Sequence, residues 1–569
     1  MNKDLGNKIL KIVMEVLAVI VIAFYAFSIT PKTFQNDTYY TIKIGEYIQK
    51  NVKDPKQLLP WNMGLYSQDP FSYHENLVYT YPHWFYDWFT YKAYSVNGLE
   101  SVYVMTCIFS IILGLSIYYV NRRLNKNRPI SAIITVASLY CLRGFIAARA
   151  QLVTFSLFVL ALYGIERFIK TRKIRYAVML VAIPILIANI HSAVWPFYFV
   201  LYLPYLAQYF ITGIATTNFN LLFKKIGLKF KKKKLSKEQY KKELENINKL
   251  ELEHNNRIEE RSKKTYKLDV EHEKNIKWLF LIAFICLFTG LLTPIKDMPY
   301  TYVIRIMEGN TTASISEHLP LTLIKNTTVM TIFVIFFGII TFTKTKIRIC
   351  DFFMAFGLIY LCLMSQRQVS MLVLIGNFIL VRLICNLYNR LDKRFFTKFN
   401  HTFIDLIFVV IITLFINLTS ISNYMMKKNQ YYVDASSYPV SAANYINEKL
   451  IPSVGKENLR LFNEYNYGSY LLYENIPVFI DSRCDLYTPE FNGTKNDKGR
   501  YEGRDIFSDF MDVSNMIIDY EPIFVKYKIT HVISYSGNKL SRALDKDENY
   551  NQIYSDTHFS IYERNTDIK

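Results

Sequence analysis

The chain lacks most of the devices by which an enzyme announces itself. It has no glycine-rich phosphate loop, no nucleophile elbow and no zinc-ligand spacing, so it is not a nucleotide-loop enzyme, a serine hydrolase of the elbow type or a zinc-motif protein. It has no disulfide framework either. Of seven cysteines, Cys107, Cys141, Cys286, Cys350, Cys362 and Cys385 fall in or near apolar runs, where they act as small apolar fillers. Cys484 stands alone in the C-terminal segment, so no pair can form there within one chain. Acids are also scarce: 47 against 67 lysines and arginines, a net charge of +20.

What the chain has instead is apolar residues in blocks. It is 51% hydrophobic and 16% aromatic, too apolar for an ordinary soluble protein of this size. MEVLAVIVIAFYAFSIT (14–30), VYVMTCIFSIILGLSIYYV (102–120), KWLFLIAFICLFTGLL (277–292), TTVMTIFVIFFGIITF (327–342) and FIDLIFVVIITLFINL (403–418) are examples. A spanning helix needs roughly 20 mostly apolar residues, and such blocks recur through residues 10–420. They are continuous rather than alternating, which points to helices and away from a barrel. The first block is long and runs into PKTFQND without a small-residue cleavage site, so it reads as a retained helix.

The positive charge does not point to nucleic acid. Its clusters sit at Lys3, Lys8 and Lys11, at NRRLNKNR (121–128), KTRKIR (170–175), KTKIR (344–348) and NRLDKRFFTK (389–398), with a larger one in 224–277. They fall between alternate apolar blocks, the positive-inside pattern. Counting from a cytoplasmic N-terminus gives about eleven crossings and puts the C-terminal segment outside. The expected fold is therefore mainly α: a polytopic helical membrane domain over 1–423 and a small extracytoplasmic α/β domain over 424–569. The first outer loop is 30–98, and the lysine-rich insert 224–276 is a charged cytoplasmic helix. In the C-terminal segment LRLFNE, IPVFID, THVISY and HFSIYER read as strands between helical stretches. The abundance of lysine, asparagine and isoleucine suits an AT-rich bacterium, whose cytoplasmic membrane is the expected location.

Ionisable side chains at membrane depth are costly and are functional candidates by default. The outer segments collect Asp37, Asp69, His74, His83, Asp87, Arg143, Arg149, His191, Asp297, Glu317, His318 and Arg367. Arg143, Arg149 and Arg367 stand where the positive-inside bias disfavours cations, so an anionic partner is expected, a phosphate or a protein carboxylate. Asp37 lies only a few residues past the first apolar run. It serves either as a general base or as the cap of the helix TIKIGEYIQKNV, whose Ile42, Ile44, Tyr47 and Ile48 give it an apolar side suited to the membrane surface. DSRCDLYTPE (481–490) is either a ligand loop or a structural Asp–Arg pair.

Several of these stretches together resemble bacterial multi-pass proteins related to the GT-C glycosyltransferases, which use polyprenyl-phosphate-linked sugars. The carriers are DTYYTIKIGEYI, QDPFSYH, YTYPHWFYDWFTYKAYSVNGLE, ARAQLVTFSLFVLALYGIERF (with Ala150 where proline is usual), ANIHSAVWP, LLTPIKDMPYTY, SEHLP and SQRQ. The resemblance covers nearly the whole chain except the insert. It implies an integral membrane transferase that moves a sugar from a polyprenyl-phosphate donor to a cell-envelope glycan, lipid or protein on the outer face. It also implies catalytic roles for Asp37 and Asp69, with His74, His83, Asp87, Arg149, His191, Glu317 and Arg367 around the substrates. A divalent cation joining Asp37 and Asp69 stays open as a cofactor. A lipid-linked glycan flippase and a non-catalytic partner of a surface-polymer machine are the rival readings.

Overall fold

The computed structural model describes residues 3–65, 68–231, 236–264, 267–269, 272–309, 315–390 and 401–565. It is a polytopic helical membrane protein with an appended α/β unit. Seven helices are long and apolar enough to cross a membrane, among them Leu5–Ile29, Ala150–Thr171 and Gln366–Arg390. Ile174–Ile190, Thr327–Phe342 and Ile349–Met364 are shorter apolar helices. With Arg128–Leu142 they make eleven apolar helices among the described residues, beside about eleven crossings counted from the sequence.

The first six α-helices are α1 (Lys3–Ile29), α2 (Asn36–Asn51), α3 (Trp84–Asn125), α4 (Arg128–Leu142), α5 (Ala150–Thr171) and α6 (Ile174–Ile190). Helix α3 has 42 residues, about 60 Å at 1.5 Å per residue and twice what a bilayer needs. It resolves the excess by breaking. Asn97 leaves helical geometry and Gly98 takes φ +59°, a left-handed conformation that a side chain disfavours. The segment after the break shows Val104, Ile108 and Ile112 outward, one side-chain row along the helix, and buries Thr106, Ser110, Leu113 and Ile117 on the other side. An apolar outer row on a helix that already has a packed face is what lipid contact requires.

The segment before the break lies along α2. Here the sequence expectation is corrected. The apolar side of α2 does not face lipid; protein covers it from two directions. Tyr39 and Ile42 pack with Tyr86, Tyr438 and Tyr470, and Ile44 and Ile48 pack with Tyr79, Trp84 and Phe479. The approach is close: a Cβ on Gly45 would stand 2.1 Å from the carbonyl oxygen of Asp87. Any side chain at this position would push α2 off α3.

The α/β unit is built on a four-stranded sheet of β1 (Leu461–Phe462), β2 (His531–Tyr535), β3 (Tyr550–Ser555) and β4 (Phe559–Arg564). Their order is β1-β2-β4-β3, with β1 parallel to β2 and the other pairs antiparallel. IPVFID is not a strand of this sheet. It makes one isolated parallel bridge, Val478 to Ser72, because its partner is the first loop. The lysine-rich insert forms two helices, Phe219–Lys231 and Lys237–Lys264, joined by the Lys225–Glu251 ion pair at 2.7 Å.

Many bonds tie the α/β unit to the first loop. Arg460 donates to the Tyr73 carbonyl at 2.8 Å, Asn36 to that of Tyr465 at 2.8 Å, and Lys43 to the Asn475 side chain at 2.7 Å. His74 is 3% exposed, with Nε2 donating to the Phe479 carbonyl at 2.9 Å. Burial holds its pKa down to about 3 from 6.5. The sign follows: the folded protein refuses a proton that the unfolded chain accepts. The His74 contribution to stability is whole above pH 6.5 and falls by about 1.4 kcal/mol per unit as the pH drops from 6.5 towards 3. His74→Gln keeps a donor for Phe479 and is expected to flatten this acid branch. Thermal unfolding between pH 7 and 4 tests it, and an unchanged slope would remove His74 from the account.

Candidate active site

All the segments read as outer loops meet at one end of the helical bundle. The Ser192 amide donates to the Pro82 carbonyl at 3.0 Å, Asn189 to that of Leu292 at 3.0 Å, and the Gln366 amide to that of Leu319 at 3.0 Å. Away from that end, Glu15 in the middle of α1 is joined to Arg122 and Arg128, at the end of α3 and the start of α4. Also away from it, Glu166 and Asp351 are paired with Arg348 and Arg382.

Asp37 lies in the first turn of α2, one residue inside the helix start. Gln35 is the N-cap and makes no side-chain cap bond, and Asp37 does not cap the helix. Its charge still suits the positive end of the helix dipole. Its carboxylate is paired with Arg149, the residue that caps α5. Asp37 raises the pKa of Arg149, against the effect of burial, so this guanidinium stays charged. The side chains of Asp37 and Arg149 keep 18% and 30% of their exposure, so the pair is reachable.

Arg149 is also a wall of a polar pocket of about 380 Å³. Arg143, Gln151, Glu317, Gln366 and Arg367 share it. Arg143 stacks on the Tyr140 ring, 3.9 Å from its centre. Among the described residues neither Arg143 nor Arg367 is bonded to a carboxylate, so positive charge exceeds negative in the pocket. Beside it His83 and His191 meet edge to face at 4.7 Å between ring centres. Burial holds both below their usual range: His83 at about 4, against the pull of Asp37 and with the help of Arg149 and Arg367, and His191 with the help of His83 and then the same arginines. Both are neutral near pH 7. His191 Nδ1 is buried without a hydrogen-bond partner. His318 is lowered as well, by burial first and Arg367 second.

A second cavity, of about 790 Å³ and almost wholly apolar, lies between the helices beneath. Tyr25, Ile134, Phe333, Phe336 and Phe415 are among its walls. Tyr140, Cys141 and Thr328 line both cavities, so the apolar space adjoins the arginine pocket directly.

The remaining expected site residues sit elsewhere. Asp69 is 2% exposed and held by Arg483 at 2.6 Å, with the Ser72 amide donating to it at 2.9 Å. DSRCDLY is thus the structural Asp–Arg pair of its two readings, with Arg483 also bonded to Asp481 at 2.7 Å. Asp87 is fully buried beside the Thr41 hydroxyl, and His74 lies in the interface described above. Asp37 and Asp69 are held by different arginines, and among the described residues no three His, Cys, Asp or Glu side chains converge as a metal site. Gln35 and Asn326 of the pocket, and Tyr465 close to Asp37, were not among the residues singled out from the sequence. These are uncharged side chains whose place depends wholly on tertiary packing.

Fold and site define a class: a polytopic helical membrane protein with a cationic pocket at one end, set against an apolar cavity. No protein-family model and no curated protein matches the chain. Among solved structures, ArnT from Cupriavidus metallidurans in the apo state is similar over 97% of each chain, with a TM-score of 0.48 and 12% identity.

Proposed function

We propose that the protein is an integral membrane glycosyltransferase of the GT-C type. It transfers a sugar from a polyprenyl-phosphate donor to a cell-envelope acceptor outside the cytoplasmic membrane, with the N-terminus inside and the α/β unit outside. The observation that carries this reading is the junction at Tyr140, Cys141 and Thr328. An apolar cavity among membrane helices suits a polyprenyl chain, and the arginine pocket adjoining it suits a phosphate. The sequence resemblance described above supports the same assignment.

In this reading Arg149, Arg367 and Arg143 hold the donor phosphate. The acceptor hydroxyl oxygen bonds to the anomeric carbon from the opposite face while the bond from that carbon to the phosphate oxygen breaks. The hydroxyl proton passes to the Asp37 carboxylate and the lipid phosphate leaves with both bonding electrons. The arginines stabilise the charge that develops on it. The configuration at the anomeric carbon inverts. His83 and His191, neutral and close by, line the approach without adding repulsion to the cations.

Mass spectrometry of lipids retained after gentle purification tests the donor site. Wild type is expected to keep a polyprenyl phosphate or its glycosylated form, and Arg149→Ala and Arg367→Ala are each expected to lose most of it. Retention of bulk phospholipid alone, equal in all three proteins, would sink the donor assignment. It would leave the non-catalytic reading as the one to pursue.

A further inference from the structure

A third cleft, of about 550 Å³, lies between α2 and the α/β unit and shares no residue with the arginine pocket. Helix α2 presents Lys43, Glu46, Tyr47 and Lys50 to it, a spacing that puts all four on one face. The α/β unit brings Lys456, Glu457, Arg460 and Asn475, and the loop between them adds the rings of Phe71 and Tyr73.

Four cations face two carboxylates here, and their pairing is uneven. Glu46 is taken by Lys43 and Lys50, both at 2.6 Å. Arg460 is fixed by its bond to the Tyr73 carbonyl and lies over the Tyr73 ring, 5.1 Å from its centre. The exposed Lys456 is bonded to no carboxylate among the described residues. Partial burial, then repulsion from Lys43, lower its pKa, although Lys43 is itself paired with Glu46. An anion placed there removes that repulsion.

The walls say more. Tyr47 and Phe71, with Pro70 and Pro477, give the cleft apolar lining, and Arg460 covers one face of the Tyr73 ring. Lysine ammoniums and the Asn475 amide belong to the same lining and supply donors. A pyranose ring has the matching form: an apolar face of C–H groups with hydroxyls around its rim. The cleft is also far larger than an inorganic ion needs.

We propose that this cleft binds a saccharide carrying an anionic group, a carboxylate or a phosphate. Its geometry stands apart from the donor pocket. Lys43 to Lys50 lie about 10–20 Å along α2 from Asp37, within a few sugar rings. Only the idea that this saccharide is the acceptor, or its continuation, rests on the transferase reading.

Binding to the full-length protein in nanodiscs decides the matter, titrating trigalacturonate, a phosphorylated maltotriose, neutral maltotriose and inorganic phosphate. At least one anionic trisaccharide is expected to bind about ten-fold or more tightly than neutral maltotriose, and its identity names the anion. Lys456→Glu and Lys50→Glu, both exposed positions, are each expected to weaken it by about ten-fold while thermal unfolding stays unchanged. Asp37→Asn and Arg367→Ala are expected to leave it intact, so loss of the transferase reading does not touch this one. Three results overturn the proposal: no binding by either anionic trisaccharide, equal affinity for inorganic phosphate, or full binding by Lys456→Glu.

Discussion

Asp37→Asn is expected to reduce sugar transfer by about 100- to 10,000-fold, the range for removal of a positioned general base, while leaving the protein folded and still loaded with donor lipid. The change is almost isosteric. Asparagine keeps a polar group against Arg149 and keeps the start of α2, where the cap is Gln35 and carries no side-chain bond to lose. What it removes is the ability to take a proton. The charge of Arg149 then lacks its partner, which favours an incoming phosphate, so donor retention is expected to be equal or greater. Transfer of label from a polyprenyl-phosphate donor in reconstituted membranes, read beside retained lipid in the same preparation, separates the alternatives. Lost transfer with lipid kept identifies the base. Transfer unchanged within a factor of two would remove Asp37 from the chemistry. Loss of both would mean that the carboxylate organises the pocket through Arg149.

The parts of this site that could be read from sequence are those where membrane physics forces a choice. Arg149 and Arg367 stood out because the positive-inside bias leaves few cations on that side, and Asp37 because it lies a few residues past an apolar run. The structure brings Arg149 and Arg367 into one pocket and pairs Asp37 with the first of them. The apolar blocks were legible because a continuous, non-alternating apolar run satisfies its backbone in lipid as a helix. Partner choice was not legible. The apolar side of α2 looks the same whether lipid or protein covers it, and the pattern alone cannot say that Tyr470 and Phe479 lie against it. IPVFID has the composition of a sheet strand and bridges the first loop instead. Asp69 looked like a second catalytic acid because it shares a loop with Asp37, but its partner Arg483 lies 414 residues away. No local period encodes that contact.

That distant contact carries the second large expectation. Arg483→Met is expected to destabilise the junction of the α/β unit and the first loop by about 3–5 kcal/mol, the cost of breaking a buried ion pair on one side only. Arg483, Asp69 and Asp481 have side-chain exposures of 1%, 0% and 0%. One guanidinium serves both carboxylates, the Tyr487 hydroxyl donates to Asp481 at 2.6 Å, and the rings of Phe71 and Tyr79 lie 5.4 and 5.0 Å from the guanidinium. Burial alone would push the Asp481 carboxyl up; Arg483 and the hydrogen bonds hold it below the usual carboxylate range. Methionine fills similar volume but leaves two acids buried without a cation. They must then take up protons or draw in water, and either opens the seam. Arg483→Lys keeps the charge but loses the fork that reaches both acids, so it is expected to fall between wild type and Arg483→Met. Adding Asp69→Asn and Asp481→Asn to Arg483→Met removes the stranded charges and is expected to recover part of the loss, a recovery that a simple packing defect would not show. Thermal unfolding of the four proteins at pH 7 is the measurement. If Arg483→Met unfolds at the wild-type temperature, the α/β unit is held by its aromatic contacts with α2, and the ion cluster only follows from that docking.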